Sequence, residues 1–282
     1  MNPISLILML AAAAMMVFGL QKSKQGYEWG KPVTIAGAAI ALLLALGSMF
    51  TSKGPNPQKL SEYQSRYREA CGAKLGMYLA EQFPDAKAAF LMPHNMNSPT
   101  SQHSTDLVDA LKNAMEDTIQ IGPDLVPTPP PEIQRQHEEM REQLGSQDVP
   151  PEQAMMYMTP MFSWFSAEQL DDLVAEKAAD CDLLIAIAEL PQDFERCRFP
   201  TKADAPKIVL TGGAIYRYAP IIESGVIVAA IANNPEANWE PAPPPKKVEA
   251  AFDERYLLVT PDNINKIAEK YPDLIPSEEE EE

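Results

Sequence analysis

Cysteine is scarce in this chain, basic charge is outweighed, and the common catalytic signatures are missing. The 282 residues hold three cysteines, Cys71, Cys181 and Cys197, with no CxxC pair among them. An odd count without paired spacing argues against a disulfide framework and offers no zinc pattern. If Cys181 opens a strand and Cys197 lies in the loop after it, the strand alone separates them by roughly 25 Å, so free, packed thiols are expected. Lys and Arg number 23 against 40 Asp and Glu, a formal net charge of −17. That surplus repels phosphate backbones and no basic aromatic stripe offsets it, so nucleic-acid partners are disfavoured. GxSxG, HExxH and paired-carboxylate signatures are absent. Thr211-Gly212-Gly213 is neither a GxGxxG fingerprint nor a P-loop. No catalytic residue, cofactor or metal is therefore expected, and an enzyme is the least supported reading. His94 and His103, without a Cys or His at ligand spacing, read as isolated loop histidines.

Charge is also absent from two stretches, Ile4 to Leu20 and Val33 to Phe50. Each is near the lower limit for crossing a hydrocarbon core of about 30 Å at 1.5 Å per residue. A cleaved signal peptide needs a basic start, which Met1-Asn2-Pro3 lacks, and would leave the second run unexplained. Residues 1–52 are therefore expected to form a two-helix transmembrane anchor contacting lipid through residues 4–50, with Gly37 and Ala41 at small-xxx-small spacing. The intervening Gln21 to Pro32 carries Lys22, Lys24 and Lys31 against Glu28, with Tyr27 and Trp29 suited to the headgroup region. Short basic loops stay cytoplasmic, which puts both ends outside. Lys53, Lys59, Arg66 and Arg68 pull the other way. The expected location is a bacterial inner (cytoplasmic) membrane with the remainder periplasmic.

Residues 53–282 read as an acidic soluble domain. Removing the anchor's three Lys and one Glu leaves 20 basic and 39 acidic residues, a net charge of −19. Five glutamates, Glu278 to Glu282, form an acidic tail. Leu60 to Phe83 has helical spacing and stops before Pro84. Apolar runs then alternate with helices: strands at Lys87–Met92, within Asp117–Val126, and at Leu183–Leu190, Lys207–Leu210, Val226–Ile231 and Tyr256–Thr260; helices at Ser104–Met115, Ser166–Ala179, Tyr216–Ser224 and Asn263–Tyr271. Ser166 and Gln169 stand at capping-box spacing. Strands apolar on both faces and alternating with helices indicate a doubly wound, mostly parallel α/β sheet. Pro127 to Pro151, around a polar helix Glu132–Leu144, reads as an insertion. Asn234 to Lys247 reads as a proline-rich surface connector, with a docking strip for a partner's groove as the alternative.

The stretch KAAFLMPHNMNSPTSQHSTDLVDALKNAMED (87–117) resembles the opening β-α unit of type I periplasmic binding proteins, where a strand ending in MP leads to a ligand-side polar loop and a helix. SAEQLDDLVAEKAADCDLLIAIAEL, APKIVLTGG and ESGVIVAAIANNP are similar in kind to the family's following units. The resemblance covers about 180 residues and accounts for one lobe of a two-lobed family. It implies a single-lobe, flavodoxin-like doubly wound sheet.

Open parallel sheets bind ligands beyond the carboxyl ends of their strands. That rule selects His94, Asn95, Asn97 and Ser98 after the first strand, Glu189 near the end of the central one, Thr211, Gly212 and Gly213 after the next, and Asn233 and Asn234 after the following one. The segment MMYMTPMFSWF places Met155, Met158, Met161 and Trp164 among other aromatics. Methionine clusters outside the cytoplasm can bind copper(I), but at this spacing they more often fill a core or a partner surface. Two functions follow: an accessory subunit acting through protein partners or as a homo-oligomer, or a small-molecule-binding or sensory module using the strand-end loops.

Overall fold

The computed structural model describes residues 3–27, 29, 31–36, 38–39, 57–94, 102–145 and 160–276, with side chains in residues 3–13 and at 57, 102–104, 141 and 143–145 excepted. Asn95, Asn97, Ser98, Met155, Met158, the second apolar run beyond residue 39 and the glutamate tail lie outside these. The chain divides into two compact units, Met1–Leu60 and Ser61–Glu282.

In the first unit, helix α1 (Pro3–Lys24) contains the whole of the first apolar run and ends on Lys22 and Lys24. Tyr27 N–H donates to Lys22 O at 3.2 Å and Gly26 N–H to Ser23 O at 3.1 Å. Gly26 has φ +86°, so the helix closes in a Schellman turn with glycine in the left-handed position. Helix resumes at residues 31–36. Among the described residues no helix is long and apolar enough to cross a membrane; the second expected span lies mostly outside them.

The second unit is built on α2 (Pro57–Gln82, its first four residues belonging to the first unit), β1 (Lys87–Leu91), α3 (Gln102–Met115), β2 (Gln120–Leu125), α4 (Pro131–Gly145), α5 (Ala167–Lys177), β3 (Leu183–Ala186), β4 (Lys207–Leu210), α6 (Ala219–Glu223), β5 (Ile227–Asn233), α7 (Val248–Arg255), β6 (Tyr256–Val259) and α8 (Ile264–Lys270). The six strands lie in the order β2-β1-β3-β4-β5-β6. The first five pair in parallel, and the last is antiparallel. Order 2-1-3-4-5 is that of flavodoxin-like sheets, with the topological switch between β1 and β3.

Alternation within each strand sends side chains to two cores. Ala89, Leu91, Leu184, Ala186, Ile208 and Leu210 face one, with Leu170 and Val174 of α5, Ile222 of α6 and Ile264 of α8. Ala88, Phe90, Leu183, Ile185 and Val209 face the other, with Leu75 and Leu79 of α2, Leu111 and Met115 of α3 and Phe252 of α7. Both faces are covered, as strands without a polar side require. Edge strand β2 carries Gly122 and Pro123, and a Cβ on Gly122 would stand 2.8 Å from Ala88 O. Glycine lets the backbones approach there, and proline is tolerated because the strand is at an edge.

Three details depart from the sequence reading. β3 ends at Ala186, four residues short of the expected Leu190, because the chain bends at Ile187 and Ala188. Asn233 is the last residue of β5, which runs two residues beyond the expected end. α7 was not foreseen: eight residues carry too few turns for a periodic signal, and only Ala251, Phe252 and Arg255 are buried.

Candidate functional site

Beyond the carboxyl ends of β3 and β4 the loops enclose a cleft of about 440 Å³. Glu189, Thr211, Gly212 and Gly213 line it, four of the residues selected by the strand-end rule, together with Gln192, Arg217 and Phe162. Thr211 Oγ1 donates to Ala186 O at 2.9 Å, and its amide donates to the same oxygen at 3.2 Å. Its hydroxyl thus ties β4 to the end of β3. Arg217 Nη2 donates to Gln192 O at 3.0 Å across the cleft mouth, leaving the other guanidinium donors available. Gly213 has φ +99°, and a Cβ at Gly212 or Gly213 would meet nothing within 4 Å, so the backbone here is open to a ligand. Among the described residues no hydrogen bond engages the Gly212 or Gly213 amides.

The wall carrying Glu189 and Gln192 is held from behind. Asp193 Oδ1 accepts from Ala167 N–H at 2.9 Å, at the first turn of α5. Asp171 of α5 accepts from Arg198 N–H at 2.9 and 3.0 Å, from Phe199 N–H at 2.9 Å and from Arg198 Nε at 3.2 Å. The capping box expected at Ser166 and Gln169 is present and starts the helix that carries Asp171. Burial pushes the Asp171 carboxyl upward, but the hydrogen bonds from Phe199 and Arg198 outweigh it and hold the group below the usual carboxylate range. At the floor, burial raises the Tyr218 phenol, Arg217 opposes this, and the Glu189 carboxylate adds to it.

The other selected residues are elsewhere. His94 does not line this cleft: its Nδ1 lies 3.1 Å from Pro127 O, and its ring meets Trp164 edge-on at 6.0 Å. Asn234 serves the backbone, donating Nδ2–H to Asp253 O at 3.2 Å and accepting from Glu236 N–H at 3.0 Å. It borders a separate depression of about 420 Å³ that includes Lys74, Glu236 and Lys270, while Asn233 is exposed at the end of β5. Met161 and Trp164, expected on a partner surface, are partly buried against the core. Their neighbour Phe162 is the exposed one, at 48%, and it forms part of the cleft rim.

Gln192, Arg217 and Tyr218 were not singled out from the sequence, and Phe162 was read there only as one of the aromatics of the methionine segment. Arg217 and Tyr218 sit on the turn after β4, where the strand-end rule extended by one helical turn would have found them. A larger groove of about 850 Å³ lies between α2, α3 and the connector at Pro244–Val248. Its floor is alanine (Ala70, Ala73, Ala110, Ala114), and its rim carboxylate Asp106 is already engaged by Ser65 and Arg68. Helix packing accounts for that groove, so the carboxyl-edge cleft is the better candidate. All three cysteines are free and buried. Among the described residues no group of three or more His, Cys, Asp or Glu is placed to hold a metal ion.

No family model matches the chain, and no curated protein matches it. Among solved structures it is similar to the sugar-binding protein of a sugar ABC transporter from Bacillus halodurans, with 11% identity, 71% of this chain and 64% of that one covered, and a TM-score of 0.34. It is similar to the periplasmic binding protein component of the arabinose ABC transporter from Shewanella sp. ANA-3, bound to α- and β-L-arabinofuranose, with 11% identity, coverages of 72% and 60%, and a TM-score of 0.34. A Mycobacterium smegmatis structure is matched with 10% identity, coverages of 75% and 53%, and a TM-score of 0.34. The chain thus spans between about half and just under two thirds of those proteins' lengths. At these scores the functional reading rests on the chain's own geometry.

Proposed function

We propose that the α/β unit is a small-solute-binding or sensory module, held at a bacterial inner membrane by the apolar runs at residues 4–20 and 33–50, with the α/β unit on the periplasmic side. The observation that carries the binding reading is the 440 Å³ cleft, where Glu189, Thr211, Gly212 and Gly213 converge with Arg217 and Gln192. Its volume falls within the range of about 300–1,000 Å³ typical of small-molecule sites. It offers a carboxylate acceptor, guanidinium and amide donors, and apolar surface from Phe162, Leu190 and Tyr218. A polar solute of monosaccharide or amino-acid size suits that mixture.

The anchor reading rests on the chemistry of α1. Met15, Val17, Phe18 and Leu20 are 41%, 65%, 51% and 48% exposed, and at 100° per residue they point all round the helix. A helix apolar on every side belongs in a protein core or in hydrocarbon, and the anchor reading takes the second. Its 17 uncharged residues rise roughly 26 Å, a little under a typical core, and snorkelling of Lys22 and Lys24 makes up the difference.

The test is a thermal-unfolding screen of the detergent-purified full chain against monosaccharides, amino acids and dicarboxylates. A true ligand at about 100 times its Kd adds about 2.7 kcal/mol, a rise of several degrees. That rise should vanish in Glu189→Gln and Arg217→Ala, whose ligand-free transitions stay at the wild-type temperature. A screen without hits, or a hit indifferent to both substitutions, would overturn the reading. A cysteine introduced between Gln21 and Pro32 should resist impermeant label in intact cells; ready labelling would reverse the orientation.

The accessory-subunit reading draws on exposed aromatic rings of the α/β unit: Tyr216 and Phe162 are 54% and 48% exposed. Mass spectrometry of gently solubilised complexes separates the two, since a stoichiometric protein partner and an empty cleft belong to the accessory reading alone.

A further inference from the structure

We propose that the turn closing α1 is a binding seat for the headgroup phosphate of an anionic phospholipid, an inference that rests on the anchor reading above. Lys22 Nζ stands 5.1 Å from the Tyr27 ring centroid and 5.9 Å from that of Phe18. Trp29 stacks obliquely on both rings, at 5.9 Å from Tyr27 and 6.0 Å from Phe18. Two aromatic rings thus flank one ammonium, and the third packs on both of them. Lys22 donates to Gln25 Oε1 at 3.1 Å, which leaves two of its three N–H donors for another acceptor.

The turn is also stiff. The Schellman bonds of Gly26 and Tyr27 and the left-handed Gly26 set the rings against the helix end without help from a partner. Lys24 and Lys31 are exposed on either side of it. In a chain of net charge −17, a local group of three lysines against the single carboxylate of Glu28 attracts anions where the acidic remainder repels them.

The occupant follows from what adjoins the cluster. The described helix surface leading to it, from Met15 to Leu20, is apolar on all sides, so on the anchor reading the boundary between hydrocarbon and water falls at Phe18 to Trp29. Tyr27 and Trp29, 49% and 45% exposed, are the residue types that settle at that boundary. An anion met at this level, beside exposed aromatic surface, is a lipid phosphate. A lysine near an anionic bilayer surface gains about five-fold in association, and the orientation proposed above places this turn at the cytoplasmic leaflet, where anionic lipids are concentrated.

The test uses the full chain reconstituted in phosphatidylcholine vesicles with trace spin-labelled phosphatidylglycerol or spin-labelled phosphatidylcholine, reading the motionally restricted fraction of each probe. Phosphatidylglycerol should be enriched about five-fold over phosphatidylcholine at about 0.01 M salt, and the preference should fall toward unity at about 1 M, where the screening length drops from about 30 to about 3 Å. Lys22→Gln should lose more than half of the preference, Lys22→Arg should keep it, and Lys22→Gln with Lys24→Gln and Lys31→Gln should abolish it. Equal restriction of the two probes, or a preference unmoved by Lys22→Gln, would overturn the headgroup seat while leaving the anchor in place. Displacement of the lipid probe by inorganic phosphate at fixed ionic strength would overturn it in favour of a simple phosphate site. Failure of the chain to float with the vesicles would overturn seat and anchor together.

Discussion

Asp171 accepts from three donors of Arg198 and Phe199 over four contacts of 2.9 to 3.2 Å, and so decides the path of the loop that carries Glu189 and Gln192. Its side chain is 9% exposed, so the carboxylate depends on these donors rather than on water. Asp171→Asn replaces one accepting oxygen by a donor and should cost about 2–3 kcal/mol, lowering the unfolding temperature by several degrees. The sign of the pH dependence follows from the depressed pKa. Above the unfolded value of about 3.9 this stabilisation is fully present, and it is lost as pH falls through the lower folded value. Calorimetry from pH 7 to pH 3 should therefore show wild type and Asp171→Asn converging at the acid end; parallel curves would show that Asp171 does not carry the effect. The thiols give a second residue-scale expectation. Burial pushes Cys71 up to about 12, and burial, with the nearby Asp171 and Asp193 charges, pushes Cys197 up to about 12 as well. Since the thiolate is the reacting form, alkylation of both at pH 8 should be at least a hundred-fold slower in the folded chain than in denaturant. That inertness, together with the burial of Cys181, is also what makes an introduced cysteine in the Gln21–Pro32 turn a clean topology probe.

At the scale of elements, the crossing of α2 and α3 depends on two glycines four residues apart. A Cβ on Gly72 would lie 2.1 Å from Leu107 O, and one on Gly76 would lie 2.7 Å from both Ala114 Cβ and Leu111 O. The first obstacle is backbone and cannot turn aside, so Gly72→Ala should destabilise by about 3 kcal/mol or more, despite alanine's better helix propensity. Gly212→Ala, where a Cβ meets nothing within 4 Å, should leave the unfolding midpoint in place. If the two variants behave alike in urea, the close crossing is wrong. The connector after β5 is pinned by Arg255, which is 6% exposed, stacks 3.5 Å over the Tyr67 ring and reaches to within 5.3 Å of Trp239. Its Nε is buried without a partner and its Nη2 donates to Glu240 O at 3.4 Å, so planar stacking and one long hydrogen bond hold it. Lysine has no plane to stack. Arg255→Lys should forfeit about 1–2 kcal/mol of cation–π contact, seen as roughly ten-fold faster hydrogen exchange at Trp239 and Glu240.

For the molecule as a whole, the anchor reading makes the two units answer to different solvents. A chain beginning at Ser61 should stay in solution and keep its cooperative unfolding, because the buried apolar side chains of both cores come from Tyr67 onward. The full chain should remain with membranes through an alkaline carbonate wash. Release of the full chain by carbonate would count against the apolar runs as spans.

The amino-acid order by itself determined the alternation of helix and strand, the two-sided burial of the sheet and the carboxyl edge as the place to look, because periodicity and apolar run length are local properties. KAAFL and LLIA could not face water on either side, so helices had to cover both. Ser166 and Gln169 announced the start of α5 by spacing alone. Tertiary structure decided which strand-end loops meet. Strand order set β3 beside β4, which drew Glu189 to Thr211–Gly213 and brought in Arg217, while Asn234 went to the β5–α7 corner and His94 to Trp164. It also decided that β6 runs antiparallel, and that Met161 and Trp164 pack inward while Phe162 stays out. Those outcomes depend on contacts between residues far apart in the chain, and such distances have no signature in local sequence.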